Sequence, residues 1–329
     1  MTDYMIAQLL SKSNPCNLRR NMLKSHSVMI MKLRIKGSLM LFLATLLWGS
    51  TFVAQSLGMD HVGPFTFQGV RCGIGALALL PIIYLFDRKD GHGSDFLKRF
   101  QNKTLWKAAF SCAIPLFFAT NLQQMGMVTV DAGKSGFLTA MYIVFVPVIG
   151  FFLRRKTSPM VPISVVIAVV GLYFLSCMGV TTIGTGDLLL LACALAFALQ
   201  IIFVDKYVGQ VDPIRLNCLQ AALCSVGSCI VMFFTETPSW EGIQNGFWAL
   251  CYAGVLSMGI AYSLQILGQK YLEPTLASLI MSLESVIAVL CGCIFLKETM
   301  TGWEILGCVL VFTAVILSQI PVKEKNRTA

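Results

Sequence analysis

The chain has 329 residues, of which 56% are hydrophobic and only 12% are charged, and its formal net charge is +9. Such a composition cannot cover a globular surface with polar groups, so it excludes an ordinary soluble domain. We therefore expect lipid to surround most of the chain.

The first apolar run begins near residue 37, after a polar and basic segment. We interpret residues 1–36 as a disordered N-terminal tail. The run itself is too long for a cleaved signal peptide and no small-residue cleavage site follows it, so we expect it to remain as helix one. Because Met29 and Met31 lie where a membrane protein can begin, residues 1–30 are either part of this tail or an overlong start, and they are assigned no function.

Apolar runs long enough to approach or span a hydrocarbon core recur as far as residue 320. Pro64, Pro213 and Pro274 begin three of the runs, and a helix start tolerates proline. No gap between the runs is long enough to hold a soluble domain. The sequence predicts an all-α polytopic membrane protein with ten transmembrane helices, at about 37–58, 65–86, 105–126, 133–153, 159–179, 186–205, 214–235, 244–267, 274–296 and 302–320.

Most basic residues fall on one side of this arrangement. If the N-terminus is cytoplasmic, 20 of the 25 Lys and Arg residues lie in cytoplasmic tails and loops, and Lys297 alone lies in a loop on the other side. This bias predicts cytoplasmic N- and C-termini, with residues 321–329 as the C-terminal tail. The membrane that we expect is a bacterial-type plasma (inner) membrane. Because the basic residues are spread over short loops, we expect no nucleic acid partner.

Two parts of the chain, residues 37–179 and 186–320, repeat the same pattern. Each repeat contains five helices, an odd number, so the second repeat is predicted to be inverted across the membrane. Inverted repeats support alternating access to a site near the membrane midplane. The matching residues are Pro64 and Arg71 with Pro213 and Gln220, 149 residues later, and Gln123, Gly126, Gly150 and Thr157 with Gln265, Gly268, Gly292 and Thr299, 142 residues later.

Arg71 lies about seven residues into helix two. An arginine at membrane depth costs about 2.5–3.5 kcal/mol on insertion scales, so it needs protein or water around it. Two interpretations stay open. Either Arg71 reaches the membrane surface or a helix-end carbonyl, or it faces a central cavity and attracts an anionic group of a substrate, such as a carboxylate.

Glu284 is the only acidic residue deep in a predicted helix. Either it forms a buried contact with Arg71 or a glutamine that holds the bundle together, or it pairs with a cationic substrate group. A carboxyl so placed can also carry a proton, so Glu284 is the candidate for proton coupling. Tyr142 occupies the equivalent position of the first repeat, and we expect the two side chains to face each other.

Further polar and aromatic residues in the predicted helices suit the lining of a cavity. We expect Arg71, Tyr142 and Glu284 to be joined there by Trp48, Gln55, Asn121, Gln123, Gln220 and Gln265. For the aromatic residues packing is the competing interpretation, and Gly69, Gly73 and Gly75 more simply allow close helix packing.

Several catalytic and metal-binding patterns are incomplete. The twelve cysteines are scattered through apolar helices, where a thiol packs as a small hydrophobic group, and we predict neither a metal site nor a cofactor. Residues 184–187 (GTGD) match a string of intramembrane aspartyl proteases, but the second carboxyl is missing, and Asp187 suits a helix start instead. Residues 133–135 (GKS) lack the glycine spacing of a phosphate loop. Because the sequence shows no ATPase module, any uphill transport must draw on a gradient.

Several motifs together resemble the EamA-type permeases of the drug/metabolite transporter superfamily. They are residues 47–52 (LWGSTF), Pro64 with Arg71, residues 186–187 (GD), 283–285 (LES) and 295–298 (FLKE). The resemblance covers about residues 37–320 and implies ten helices in two five-helix repeats. Members of the family are associated with export or uptake of amino acids, metabolites, nucleotide sugars and drugs. One departure is that the common Glu-Pro of helix nine is Glu284-Ser285 here, while helix four contains Pro147.

The sequence therefore predicts a secondary-active or facilitative transporter of small organic metabolites, amino-acid-like or drug-like, that works by alternating access and exports its solute. Its expected partners are the solute, protons and the lipid bilayer, and the sequence does not decide between a monomer and a homodimer. The alternatives are a membrane-embedded enzyme or lipid-handling protein and a non-transporting receptor or scaffold. A transporter should place its central polar residues around one water-filled cavity, whereas an enzyme should bring two reactive groups to bonding distance.

Overall fold

The computed structural model describes residues 15–91, 93–154, 160–176, 184–295 and 300–319, and within these ranges the chain is helical and contains no strand. The predicted helix ends at 159, 179, 296 and 320 fall outside the described residues, as do Thr157, Lys297 and Thr299.

All ten predicted helices are present in the described ranges. Eight are long and apolar enough to cross a membrane, and the fifth and tenth are shorter apolar helices. The helices are α1 (Pro15–Met59), α2 (Pro64–Lys89), α3 (Lys103–Gly126), α4 (Ala132–Ala140 and Tyr142–Phe152), α5 (Met160–Ser176), α6 (Thr185–Tyr207), α7 (Pro213–Thr235), α8 (Phe247–Cys251, Tyr252–Ala261 and Tyr262–Gln269), α9 (Pro274–Met281 and Leu283–Phe295) and α10 (Gly302–Ser318).

Helix α1 includes residues 15–36, which differs from the disordered tail expected over residues 1–36. The helix begins at Pro15 and continues without a break into the apolar run. Proline suits the first turn of a helix, and neither glycine nor proline occurs again before Gly37, so nothing in this polar segment interrupts the backbone hydrogen bonds. Residues 1–14 and 321–329 lie outside the described residues.

The outer surface of the helix bundle is apolar. Phe151, Phe152, Phe234 and Trp248 are each more than three-quarters exposed. Aromatic side chains at this density would be a liability in water, whereas a bilayer solvates them. The chain is accordingly a multi-pass membrane protein.

The two inverted repeats pack against each other through equivalent helix crossings. Helix α1 contacts α8, and α6 contacts α3. At the first crossing a Cβ on Gly268 would lie 3.0 Å from the carbonyl oxygen of Gly37, and at the second a Cβ on Gly126 would lie 3.0 Å from the carbonyl oxygen of Gly186. Because these positions match under the offsets of 149 and 142, one close backbone approach occurs twice.

Three helices are irregular where they approach the centre. Helix α4 is interrupted at Met141 and α9 at Ser282, and both residues have ψ angles near zero, at −9° and −14°. In α8, Tyr252–Ala261 is a π-helical stretch of ten residues. Such interruptions are tolerated at membrane depth where protein or a cavity surrounds the backbone, and π-helical turns often mark functional sites.

Candidate substrate cavity

One cavity lies between the two repeats and receives side chains from both. Its volume is about 40 Å³, which holds a few water molecules. Helices α1, α2, α3 and α4 contribute from the first repeat, and α6, α8 and α9 from the second. The lining residues are Trp48, Thr51, Phe52, Gln55, Arg71, Gln123, Tyr142, Phe197, Ile201, Ser257, Tyr262, Gln265, Met281 and Glu284.

Tyr142 and Glu284 meet at this cavity. The Tyr142 hydroxyl donates a hydrogen bond of 2.9 Å to Oε1 of Glu284, and both side chains are buried. Each residue stands just after the interruption in its helix, so the local change in helical path brings the equivalent positions of the two repeats together. The sequence leaves open a contact of Glu284 with Arg71 or with a glutamine. The structure instead shows the hydrogen bond with Tyr142.

Arg71 is a buried cation that has no acidic partner in the part of the chain that the structure describes. Its side chain is 2% exposed, and among the described residues no carboxylate lies within ion-pair distance of its guanidinium. The Nε atom has no hydrogen-bond partner there, and the guanidinium carbon lies 5.8 Å from the centroid of the Phe67 ring. A buried charge is normally paired, so the site has unused capacity for an anion.

Amide and indole groups add polar atoms without partners. Gln123 donates to Thr139 at 3.2 Å, and Gln265 donates to Gln200 at 3.0 Å. The Oε1 atoms of Gln55 and Gln265 and the indole Nε1 of Trp48 have no hydrogen-bond partner among the described residues. Buried polar atoms are rarely left unsatisfied, so these groups can bind water or a solute.

Aromatic rings form the apolar part of the lining. Trp48 and Tyr262 pack edge to face with ring centroids 4.9 Å apart, and Tyr142 and Phe197 do so at 6.4 Å. These pairs join α1 to α8 and α4 to α6, so each pair links one repeat to the other. The cavity thus combines a cation, a carboxyl, amides and aromatic walls.

The structure brings seven of the nine predicted site residues to this cavity and places two elsewhere. Asn121 donates to Ser228 at 2.9 Å and to the carbonyl of Phe117 at 2.8 Å, which ties α3 to α7. Gln220 donates to Asn217 at 2.9 Å inside the bundle. Neither residue lines the cavity: the Asn121 amide connects α3 to α7, whereas the Gln220 amide bonds within α7 and its Oε1 has no partner among the described residues. Gln220 matches Arg71 under the repeat offset, but unlike Arg71 it is not among the residues that line this cavity.

Sequence reasoning missed several lining residues. The repeat offset of 149, applied to helix one, relates Trp48 to Phe197 and Phe52 to Ile201, so it was a usable signal for the two residues of α6. Ser257 and Tyr262 have no such signal, since they reach the cavity through the π-helical stretch of α8 and the turn after it.

Asp187 has the structural role predicted for it. It accepts a hydrogen bond of 2.8 Å from the backbone of Gly184 and an ion pair of 2.7 Å from Lys134 at the start of α6. A carboxylate at this end of a helix is stabilised by the helix dipole. The GTGD string is therefore a helix start.

Together the fold and the cavity define a membrane transporter built from two inverted repeats. Residues 35–177 and 184–319 both match the EamA-like transporter family, and the chain belongs to that family. It is a transporter of the drug/metabolite type rather than an enzyme.

Relatives and a solved structure agree with this assignment. The chain is similar to an "Uncharacterized transporter" of Archaeoglobus fulgidus, with 30% identity over 94% of both chains, and to the "Uncharacterized transporter YoaV" of Bacillus subtilis, with 26% identity over 86% of this chain and 97% of that one. It is 28% identical to the "Threonine/homoserine exporter RhtA" of Salmonella typhimurium over 50% of this chain and 56% of the exporter. One crystal structure matches with a TM-score of 0.72 and 16% identity over 86% of this chain and 96% of that one, which supports the fold.

Proposed function

We propose that the protein is a secondary-active or facilitative transporter that exports small organic metabolites, amino-acid-like or drug-like, by alternating access. The observation that carries the proposal is the buried guanidinium of Arg71, which pairs with no carboxylate of the described residues, at a cavity that also contains the Tyr142–Glu284 pair. A solute with an anionic group would supply the partner that Arg71 lacks.

The lining favours a solute with both polar and apolar parts. Arg71 suits a carboxylate, for which a guanidinium offers two parallel hydrogen bonds. The free amide oxygens of Gln55 and Gln265 suit an ammonium or hydroxyl group, and the Trp48 and Phe197 rings suit an apolar side chain. An amino acid combines all three features, and the similarity to a threonine/homoserine exporter supports the same class and the same direction.

Glu284 is the group that we assign to proton coupling. When the carboxyl is ionised it accepts the Tyr142 hydrogen bond, and when it is protonated the cavity carries one negative charge less. A charged side chain at membrane depth is costly, so the two forms favour different arrangements of the surrounding helices. This difference allows a proton gradient to drive the solute.

Alternating access follows from the inverted repeats. The cavity of about 40 Å³ is too small for an amino acid, so admitting one requires the repeats to move apart on one side. The two repeats can exchange their packings, which opens the same site to the other side. The excess of basic residues on one side supports cytoplasmic termini in a plasma membrane.

A metabolite comparison tests the proposal and identifies the solute in the same experiment. Cells that express the protein and cells that express Arg71→Gln are compared for metabolites inside the cell and in the medium. We expect a metabolite with a carboxylate to be depleted inside and enriched outside only with the unaltered protein. Identical profiles at equal expression would contradict the proposed function.

A further inference from the structure

Helices α2 and α7 come from different repeats and pack antiparallel through an interface that repeats itself. Ser225 donates a hydrogen bond of 2.7 Å to the carbonyl of Gly69, and the Cys218 thiol contacts the carbonyl of Ala76 at 3.5 Å. Gly69 and Cys218 are 149 residues apart, as are Ala76 and Ser225. The pseudo-twofold axis that relates the two repeats therefore also relates these two contacts to each other.

The same relation connects the two ends of this helix pair. At one end Asp87 of α2 pairs with Arg215 of α7. Arg99 pairs with Asp87 as well, and it lies in the basic 87–104 loop that leads from α2 to α3. We call these three residues the first latch. Asp87 and Arg215 are buried, with exposed fractions of 2% and 3%, although a cavity of about 220 Å³ lies beside them.

At the opposite end Glu236, just after α7, binds the start of α2. Its carboxylate accepts hydrogen bonds of 2.8 Å from the backbone N–H groups of Phe65 and Thr66 and of 2.6 Å from the Thr66 hydroxyl. We call Glu236, Phe65 and Thr66 the second latch. Glu236 is the repeat counterpart of Asp87, and Thr66 is that of Arg215, both at the offset of 149.

The first latch is an ion pair and the second is a helix cap, and the residues that precede α2 and α7 explain this difference. The residue before α2 is Gly63, which has no side chain to cap the helix, so Glu236 supplies the cap from the other repeat. The equivalent residue before α7 is Asp212, which caps its own helix through the Arg215 N–H at 2.8 Å. Asp87 is consequently not needed as a cap and pairs with the Arg215 side chain instead.

We propose that Asp87 and Glu236 are functional residues of the transport cycle, whose carboxylates close opposite ends of the α2–α7 pair and are released alternately. Arg71 lies between the two latches along α2. When one repeat rocks against the other about the small residues at the middle of the pair, one end separates while the other end is compressed. Both latches are formed here, which agrees with a cavity too small for a solute.

This proposal rests on the proposed alternating access. It can be tested separately from solute transport by measuring how accessible the cavity is from each side of the membrane. Ser257→Cys places a thiol in the cavity, which is lined by no native cysteine among the described residues. Labelling by a membrane-impermeant maleimide is measured in vesicles of both orientations, relative to the same chain without the added cysteine.

Loss of one latch should favour opening at its own end. We expect Asp87→Asn to raise labelling from the side of the 87–104 loop about tenfold, the change for about 1.4 kcal/mol, and to lower it from the other side. Arg99→Gln, a milder change because Arg99 is partly exposed, should act in the same direction. Glu236→Gln should act in the opposite direction.

Matched controls and outcomes separate the two proposals. Asp95→Asn removes an exposed ion pair with Lys98 in the same loop, and Glu241→Gln alters an exposed carboxylate five residues after Glu236 in the chain, so neither should shift labelling. Unchanged labelling in Arg99→Gln and Glu236→Gln, or shifts in the same direction, would overturn the latches even if solute transport is intact. Opposite shifts without any solute transport would support the latches and contradict the proposed function instead.

Discussion

Replacing Arg71 by glutamine should stabilise the empty protein while it weakens solute binding. Glutamine is the residue at the repeat-equivalent position 220, where it is buried within α7, and it keeps a polar side chain without the charge. The guanidinium has no acidic partner among the described residues and carries a desolvation cost of about 2.5–3.5 kcal/mol on insertion scales, of which the Phe67 ring offsets part. We therefore expect Arg71→Gln to raise the free energy of unfolding by about 1–2 kcal/mol.

Arg215→Gln is the matched control, because Arg215 is equally buried but paired. It contacts Asp87 and also lies 3.4 Å from Asp212. Removing one partner of a buried ion pair costs about 3–5 kcal/mol, and the remaining contact of Asp87 with Arg99 reduces that loss. The two arginine substitutions should consequently change stability in opposite directions.

Thermal unfolding of the purified protein in detergent measures both effects. We expect Tm to rise by about 2–6 °C for Arg71→Gln and to fall for Arg215→Gln. A solute that binds through its carboxylate should lose about 2–5 kcal/mol of binding free energy in Arg71→Gln, and its own stabilising effect on Tm should disappear. A lower Tm for Arg71→Gln would mean that Arg71 has a structural partner, and the reasoning would fail.

Two further substitutions test coupling and packing. Glu284→Gln removes the only deep carboxyl of the described helices. In proteoliposomes we expect downhill solute flux to persist in this variant and its response to an imposed pH gradient to be lost. An unchanged response would mean that Glu284 does not couple transport to protons. Gly126→Ala places a Cβ 2.6 Å from Leu190 and 3.0 Å from the carbonyl of Gly186, so it should destabilise the protein by about 1–3 kcal/mol. Gly209→Ala is the control, because a Cβ there has nothing within 4 Å and should leave stability unchanged. Equal Tm values for the two variants would contradict the close crossing of α3 and α6.

The helices were predictable because apolar length and breakers are strong local signals. The start of α1 was not, since the segment from Pro15 to Gly37 is polar yet contains nothing that ends a helix. The interruptions at Met141 and Ser282 were also invisible, because neither proline nor glycine marks them. They depend on packing between the repeats, which local sequence does not record.

The site residues were predictable where a residue type is rare in membrane helices and also stands at a position that the repeat relates to another residue. Arg71 and Glu284 stand out because charge is uncommon at membrane depth, and the offset of 142 links Glu284 to Tyr142 from the sequence alone. Polarity alone did not separate Asn121 and Gln220 from the lining residues, since a buried amide can also bond between helices, as Asn121 does, or within one helix, as Gln220 does. The repeat relation between Asp87 and Glu236 was equally present in the sequence, but its meaning required the contacts.

Solute counterflow in proteoliposomes tests the central claim most directly, namely that one cavity between the repeats binds the solute and opens alternately to each side. The metabolite found by the expression comparison is loaded inside the vesicles, and entry of the labelled compound is followed. The account predicts saturable counterflow that is accelerated by the internal solute and is lost in Arg71→Gln. Flux that does not saturate, or counterflow in Arg71→Gln equal to that of the unaltered protein, would contradict it.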